Sequence, residues 1–411
     1  MKPTALVATT YKWYPTARLA VALAKAGFRV EAVCPPGHPM FKTSAVRERN
    51  SYHVFSPADS FAAAILATKP DLVIPGDDIA VQHLHRLYEV KRREEGPGSD
   101  FCSELERSLG SAQSFPIVYS RTAFMDLARE EGVRVPETAA LSTVSELREW
   151  IRQNGLPAVI KANGTSGGEG VRIVQTQEVA EREFLRLQAP PVLLRALKRT
   201  FINQNATLLG PSILRKRFSM SVQKFVRGSE ATSAVACWMG KVIANLNFEV
   251  VKKLDVTGHA TVVRRIENAE MTESAEKLVR RLNLSGLCGF DFMIESGTRR
   301  AYLIEINPRS TQVGHLALGP GRNIPAALYA AVSGEMVEES AAVTEKDTIA
   351  LFPQEWLRDS ASPYLRDAYH DVPWDEPELI RACIRERKKR APWRVQRSAL
   401  RNLSTAGAPR A

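Results

Sequence analysis

The sequence predicts an α/β protein, with an N-terminal parallel sheet followed by a larger mixed unit of hairpins and helices. Three observations carry this. The chain opens with strand-like and helix-like segments in strict alternation, from TALVATT through DLVIPGDD. That order implies a parallel sheet with right-handed crossovers. A glycine-rich turn then joins two apolar runs in VIKANGTSGGEGVRIV, residues 159–174. Finally, CGFDFMIESGTRRAYLIEINPRS, residues 288–310, reads as a hairpin with acidic and amide residues set into apolar strands.

The elements follow in order. TALVATT is a short strand of buried type, and ARLAVALAKAGF has helical spacing and stops at Gly27. RVEAVCPP is strand-like, FAAAILATKP helical, and DLVIPGDD a strand ending in turn residues. No GxGxxG follows the first strand, which leaves a dinucleotide site without support. KRREEGPGSD, residues 91–100, is a charged loop, after which SRTAFMDLAREEGVRVPET opens a new unit with a helix. SELREWIRQNGLPAVIKANGTSGGEGVRIV reads as helix, strand, glycine turn and strand. SMSVQKFVRGSEATSAVACWMGKVIA, residues 219–244, reads as two strands joined through Gly228.

In the glycine turn, Gly164, Gly167, Gly168 and Gly170 allow close backbone approach, so that successive N–H groups can face phosphate oxygens. Lys161 on the preceding strand supplies a point charge. The GK[ST] of a Walker loop is absent. In the hairpin, FDFMI alternates, Gly297 suits the turn and Pro308 closes the second strand. A fold about Thr298 sets Asp291 opposite Glu305, and Asn307, two residues on, shares the face of Glu305. Three oxygen-bearing side chains on one patch of sheet suit Mg²⁺, which takes one or two carboxylates plus substrate phosphates. A solvent-facing polar stripe is the plain alternative.

The chain has 411 residues and a net charge of +11. Much of that charge is a tail, because residues 381–411 hold ten Lys or Arg against Glu386 alone. A solvated end explains the tail, and contact with a membrane surface or an acidic partner is the alternative; no specific nucleic-acid role is expected. A second basic stretch, residues 192–217, has six Lys or Arg and no acid. It is expected to start as a helix over 192–201, either as a surface insertion or as a lid carrying Arg195, Lys198, Arg199 and Arg215–Arg217 to the cleft. Five scattered cysteines without CxxC point to packed, reduced thiols, and a cytoplasmic setting is expected. No apolar run approaches a membrane span.

The ordered set VIKANGTSGGEGV, VQKFVRGSE and GFDFMIE…LIEINPR resembles the ATP-grasp superfamily, in particular its carbamoyl-phosphate-synthase and biotin-carboxylase branch and carboxylate–amine ligase relatives. The likeness covers about residues 1–335. It implies an N-terminal Rossmann-like pre-ATP-grasp domain at 1–112 and a two-subdomain ATP-grasp fold at 113–340. Within the latter, the glycine-loop subdomain falls at about 156–227 and the magnesium-binding subdomain at about 228–340, with a basic C-terminal extension at 341–411. It further implies that Lys161, Arg121, Gly167 and Gly168 hold ATP phosphates and that Gln223, Lys224 and Val226 meet the adenine. Glu230 would then meet the ribose, Asp291, Glu305 and Asn307 the metal, and Arg309 the acyl phosphate or acceptor. The implied cofactors are ATP and Mg²⁺, with Mn²⁺ as substitute.

Two departures stand out. SRT puts Arg121 where the family often has lysine, and TQVGH puts Gly314 where biotin carboxylases carry the glutamate that deprotonates bicarbonate. The resemblance therefore implies an ATP-dependent ligase that activates a small-molecule carboxylate and joins it to an amine or other nucleophile, with a homodimer as one expected state. The alternatives are carbamoyl-phosphate-synthase-like carboxylation and a non-catalytic nucleotide-binding regulator. His315 is left open between substrate contact and a structural role.

Overall fold

The computed structural model describes residues 2–163, 170–194, 196–197, 200, 208–215, 217–255, 258–335 and 341–390. Three sheets organise them. The first holds β1 (Thr4–Ala8), β2 (Arg29–Cys34), β3 (Val46–Ser51) and β4 (Leu72–Pro75) in the order β3-β2-β1-β4. All its pairs are parallel, as the alternating segments require. β3, whose run VRERNS is mostly exposed, carries too few apolar residues to read as a strand from sequence. The helix Tyr14–Ala26 covers one face of this sheet, and the helices Pro57–Thr68 and Asp78–Glu95 cover the other.

The second sheet holds β5 (Thr138–Leu141), β6 (Ala158–Ala162), β7 (Val171–Val174) and β8 (Met220–Lys224) in the order β5-β8-β6-β7, all antiparallel. The helices Val144–Asn154 and Gln177–Gln188 pack on it, and the first opens with a capping box between Thr143 and Glu146. Its core, including Trp150, Ile160, Phe184 and Val222, draws on no buried residue of the other two sheets.

The third sheet is seven-stranded, in the order β13-β12-β9-β10-β11-β14-β15. Its strands are β9 (Gly228–Trp238), β10 (Lys241–Lys253), β11 (Ala260–Arg265), β12 (Gly286–Glu295), β13 (Ala301–Asn307), β14 (Thr348–Leu351) and β15 (Tyr369–Asp371). Residues 219–244 thus contribute to three strands rather than two, and the join through Gly228 links different sheets: β8 ends the small sheet and β9 begins the large one. The sheet also continues past residue 340, through β14 and β15.

On β12, Phe290 and Phe292 are fully buried against the helix Ala269–Leu282, each contributing about 1.5–3 kcal/mol of burial. Their alternation turns Asp291 to the opposite face. That opposite face of the large sheet packs on the first sheet: Ala234, Leu246 and Phe248 share a core with Val7, Leu23 and Val30. All five cysteines are buried, and none of them forms a disulfide. No helix among the described residues is long and apolar enough to cross a membrane.

Two glycines fix how the first sheet's helix Asp100–Leu109 meets β12. Gly110 has φ +97°, and a Cβ there would lie 2.4 Å from the Asn283 carbonyl oxygen. Gly286, with φ +84°, would put one 2.5 Å from the Ser108 carbonyl oxygen. The Ser111 N–H closes the crossing onto the Asn283 carbonyl at 3.1 Å. Gly110→Ala therefore combines left-handed backbone strain with a backbone clash and is expected to cost about 1–3 kcal/mol, or more. Guanidinium unfolding measures this, and a midpoint equal to that of the unsubstituted protein would refute the crossing as a constraint.

Candidate functional site

The β12–β13 hairpin brings the three oxygen-bearing side chains together. Asp291 pairs with Glu305, as the fold about Thr298 requires, and Gly289 pairs with Asn307. The register then slips, because Phe292 pairs with Leu303, leaving Ile304 as the extra residue. Without this bulge the pairing beyond it would carry Asp291 onto Ile304, so the bulge is what re-aims Glu305. It also turns the Ile304 carbonyl to the Lys161 Nζ, at 3.4 Å. Asn307 donates its Nδ2 to Asp291 Oδ2 at 2.8 Å.

Cations come from three other stretches. Arg121, the first residue of the helix Arg121–Glu130, donates Nη2 to Glu305 Oε1 at 2.7 Å and Nη1 to Asn163 Oδ1 at 3.2 Å. Lys161, only 5% exposed, arrives on β6 of the small sheet. Arg309 donates Nε to Asp78 Oδ1 at 2.7 Å, Nη2 to Asn307 Oδ1 at 3.0 Å and Nη1 to the Ser310 carbonyl at 3.1 Å.

The electrostatics follow from this crowding. Burial, then the Glu305 charge, pushes the Asp291 carboxyl up to about 6, against hydrogen bonds from Thr232 and Asn307. Burial also penalises Glu305, but Arg121 and Lys161 outweigh it and hold that carboxyl below its ordinary range. Lys161 is pulled down to about 8 by burial and by Arg121, with Glu305 and Asp291 opposing. Burial works against the Arg309 charge too, and Asp78 overrides it, raising the guanidinium's pKa.

The six residues Arg121, Lys161, Asp291, Glu305, Asn307 and Arg309 are therefore linked by contacts in one cluster. The residues expected around a heterocycle are less free. Gln223 is buried and gives its Nε2 to Thr138 Oγ1 at 3.1 Å, inside the small sheet. The Lys224 N–H is taken by the Glu137 carbonyl at 2.8 Å, and Val226 is half-buried in the linker to β9. Glu230 pairs with Lys253 at 2.5 Å. Gly167 and Gly168 lie outside the described residues, as do Arg195, Lys198, Arg199 and Lys216 of the basic stretch and the tail from 391. Arg215 and Arg217 are exposed before β8. His315 is buried, with Nε2 on Asp371 Oδ2 at 2.7 Å; Arg18 holds the other Asp371 oxygen at 2.6 Å, so the histidine is part of a structural charge network.

Sequence reasoning missed the first sheet's share. Asp77 is fully buried and accepts from Thr9 Oγ1, Thr10 N, Thr10 Oγ1 and Ala80 N at 2.6–2.9 Å. The signal was available in PGDD, a turn with two acids at the carboxyl end of a parallel strand, where α/β sheets bind ligands.

Strand order, cleft and charge define an ATP-grasp architecture, and sequence comparison agrees. Residues 120–317 match the family described as the carbamoyl-phosphate synthase L chain ATP-binding domain. The carbamoyl phosphate synthase large chain of Methanoregula boonei is 30% identical over 205 residues, which are 48% of this chain and 17% of that one. That of Methanothermobacter thermautotrophicus is 25% identical over 267 residues, 62% of this chain and 22% of that one. The chain thus spans about a fifth or less of the length of these relatives.

Solved structures share the fold. The biotin carboxylase domain dimer of Hydrogenobacter thermophilus 2-oxoglutarate carboxylase, in complex with MgADP, ADP and bicarbonate, has a TM-score of 0.56 at 14% identity, covering 83% of this chain and 72% of that one. N5-carboxyaminoimidazole synthase from Aspergillus clavatus, in complex with ADP and its aminoimidazole ribonucleotide, has a TM-score of 0.58 at 15% identity, covering 82% and 78%. Together these findings support the likeness to the ATP-grasp superfamily.

The raised Asp291 carboxyl gives a stability test. Its folded pKa of about 6 exceeds the ordinary 3.8, so the fold binds the extra proton and loses stability as pH rises between those values. At pH 8, without divalent ions, Asp291→Asn is expected to stabilise the protein by about 1–3 kcal/mol. Thermal melts with EDTA present check this, and a lower melting temperature for the variant would contradict the burial of two facing carboxylates.

Proposed function

We propose that this protein is an ATP- and Mg²⁺-dependent ligase that activates a carboxylate as an acyl phosphate and joins it to an amine. The observation that carries the reading is the bulged hairpin, which gathers Asp291, Glu305 and Asn307 opposite Lys161 with Arg121 and Arg309 alongside. The donor set fits magnesium. Two carboxylates and an amide oxygen are too few for a closed protein cage and suit a hard cation that shares its shell with phosphates. Asp291, Glu305 and Asn307 would hold it, and when bound it would neutralise charge on the transferring phosphoryl group.

Lys161 and Arg121 would bind the phosphates. A carboxylate oxygen attacks the γ-phosphorus and the bond to ADP breaks. The amine nitrogen then attacks the acyl carbon, phosphate leaves with the C–O electron pair, and the nitrogen gives up its proton. Positioning and electrostatics supply the rate, with no side-chain nucleophile. Carboxylation of the carbamoyl-phosphate-synthase kind is the second reading, favoured by the match over residues 120–317. A homodimer is part of the proposal, on the likeness to a carboxylase domain solved as a dimer.

ADP release measured across a library of carboxylates and amines tests the ligase reading, and nucleotide binding without turnover in any combination would favour a regulator. Glu305→Ala is expected to lower turnover roughly 100-fold or more, as loss of a main electrostatic stabiliser does. Lys161→Met should weaken nucleotide binding, and near-normal values in either variant would refute the roles. MgATP affinity is expected to be highest between about pH 6 and 8. Below that window Asp291 is protonated, and above it Lys161 is neutral. An affinity flat from pH 5 to 9 would exclude this pair as the nucleotide's charge partners.

A further inference from the structure

We infer that Asp78 and Arg309, walled by Trp13 and His259, form the acceptor subsite of the proposed ligase, and that its ligand is a free amino acid. The inference rests on the ligase reading and names its substrate class. The fold supplies the place. In the order β3-β2-β1-β4 the strand order reverses between β1 and β4, which run parallel, and the helices after β1 and before β4 lie on opposite faces. Open α/β sheets bind ligands at such a switch point, outside the carboxyl ends of the strands. Trp13 follows β1 there, and Asp78 follows β4. Asp77 holds both loops through its four hydrogen bonds, so the subsite is set before any ligand arrives.

The charges supply the chemistry. Asp78 and Arg309 stand 2.7 Å apart, with side chains 31% and 12% exposed, so both can be reached. Each has capacity left. Three of the five guanidinium N–H groups are engaged, and Arg309 meets Asp78 through Oδ1. A simple anion would meet Asp78, and a simple cation would meet Arg309. A ligand carrying a carboxylate beside an ammonium satisfies both and leaves the net charge of the pair unchanged, which limits the desolvation cost.

The walls agree with this. The Trp13 ring lies 5.9 Å from the Arg309 guanidinium carbon and 6.0 Å from the exposed His259 ring. It offers an apolar surface for a side chain and a π-face for an ammonium. The protein packed around His259, with Arg309, holds its imidazole below the ordinary range, while Asp255 and Asp78 act on it in the other direction.

Isothermal titration of the full chain, with Mg²⁺ and a non-hydrolysable ATP analogue present, tests the inference. The probes are the twenty standard amino acids and, for any that bind, the matching amine without its carboxylate and the matching acid without its amine. At least one amino acid is expected to bind, and both halves should bind roughly 10- to 100-fold more weakly, the loss that follows from one charge-assisted hydrogen bond. Asp78→Asn should weaken amino-acid binding by the same order, and Trp13→Ala should weaken it while Trp13→Phe retains it; circular dichroism melts check that each variant folds. If the analogue binds but no amino acid does, or if Asp78→Asn binds as tightly as the unsubstituted protein, the inference falls and the ligase reading stands. If the analogue itself does not bind, the ligase reading falls and the subsite falls with it.

Discussion

Two carboxylates facing each other across one strand pair are the constraint on which the rest depends. Asp291 and Glu305 cannot both ionise in a half-buried patch unless positive charge is brought to them. Here that charge comes from Arg121 at a helix start, Lys161 on the small sheet and Arg309 past the end of β13. These stretches are far apart in the chain, so the electrostatic requirement also ties separate parts of the fold together. Removing one cation leaves the others over-committed, and removing one carboxylate relieves the pair. The two carboxyl groups titrate apart, Asp291 upward and Glu305 downward, because Arg121 sits on one of them only.

The way Lys161 is delivered has a mechanical consequence. The small sheet packs its own core, and Lys161 reaches across to a main-chain carbonyl of the large sheet at 3.4 Å. A unit with a separate core can shift as a body without breaking the packing beneath the carboxylates. The first sheet is joined differently: it shares one apolar core with the large sheet and is locked by the Gly110 and Gly286 crossing. The cleft thus has one firm wall, carrying Asp78 and Trp13, and one wall hung mainly on polar contacts.

This division also explains what could be read in the sequence. The hairpin was legible because alternation and a glycine turn fix it locally, and the pairing of Asp291 with Glu305 followed. The bulge at Ile304 was not legible, since a single extra residue leaves the apolar pattern of AYLIEI intact. β3 escaped because it is an exposed edge with polar residues, and β14 and β15 because short strands far along the chain show no local sign of joining a sheet begun at Gly228. The partner of Gln223 was not legible for a related reason: strand alternation says which residues share a face, not that Gln223 meets Thr138 there.

The half of the cleft proposed for the nucleotide is therefore written in contiguous motifs, whereas the half proposed for the acceptor is assembled from single residues on separate loops. Thr9, Thr10 and Trp13 follow one strand and Asp77 and Asp78 another, and each taken alone reads as ordinary turn chemistry. Only parallel pairing of β1 with β4 brings them together, and the buried Asp77 ties the two loops at that end. A buried carboxylate with four hydrogen bonds and no cation among them is expensive, and its own pKa is raised by that burial. Such a residue is retained where geometry matters more than stability. Its neighbour Asp78 then meets Arg309, so the same turn that orders the first sheet also orients the guanidinium touching Asn307. Asn307 and Asp78 are thus two contacts of one arginine, which in the proposed ligase links the geometry of phosphoryl transfer to that of the incoming substrate.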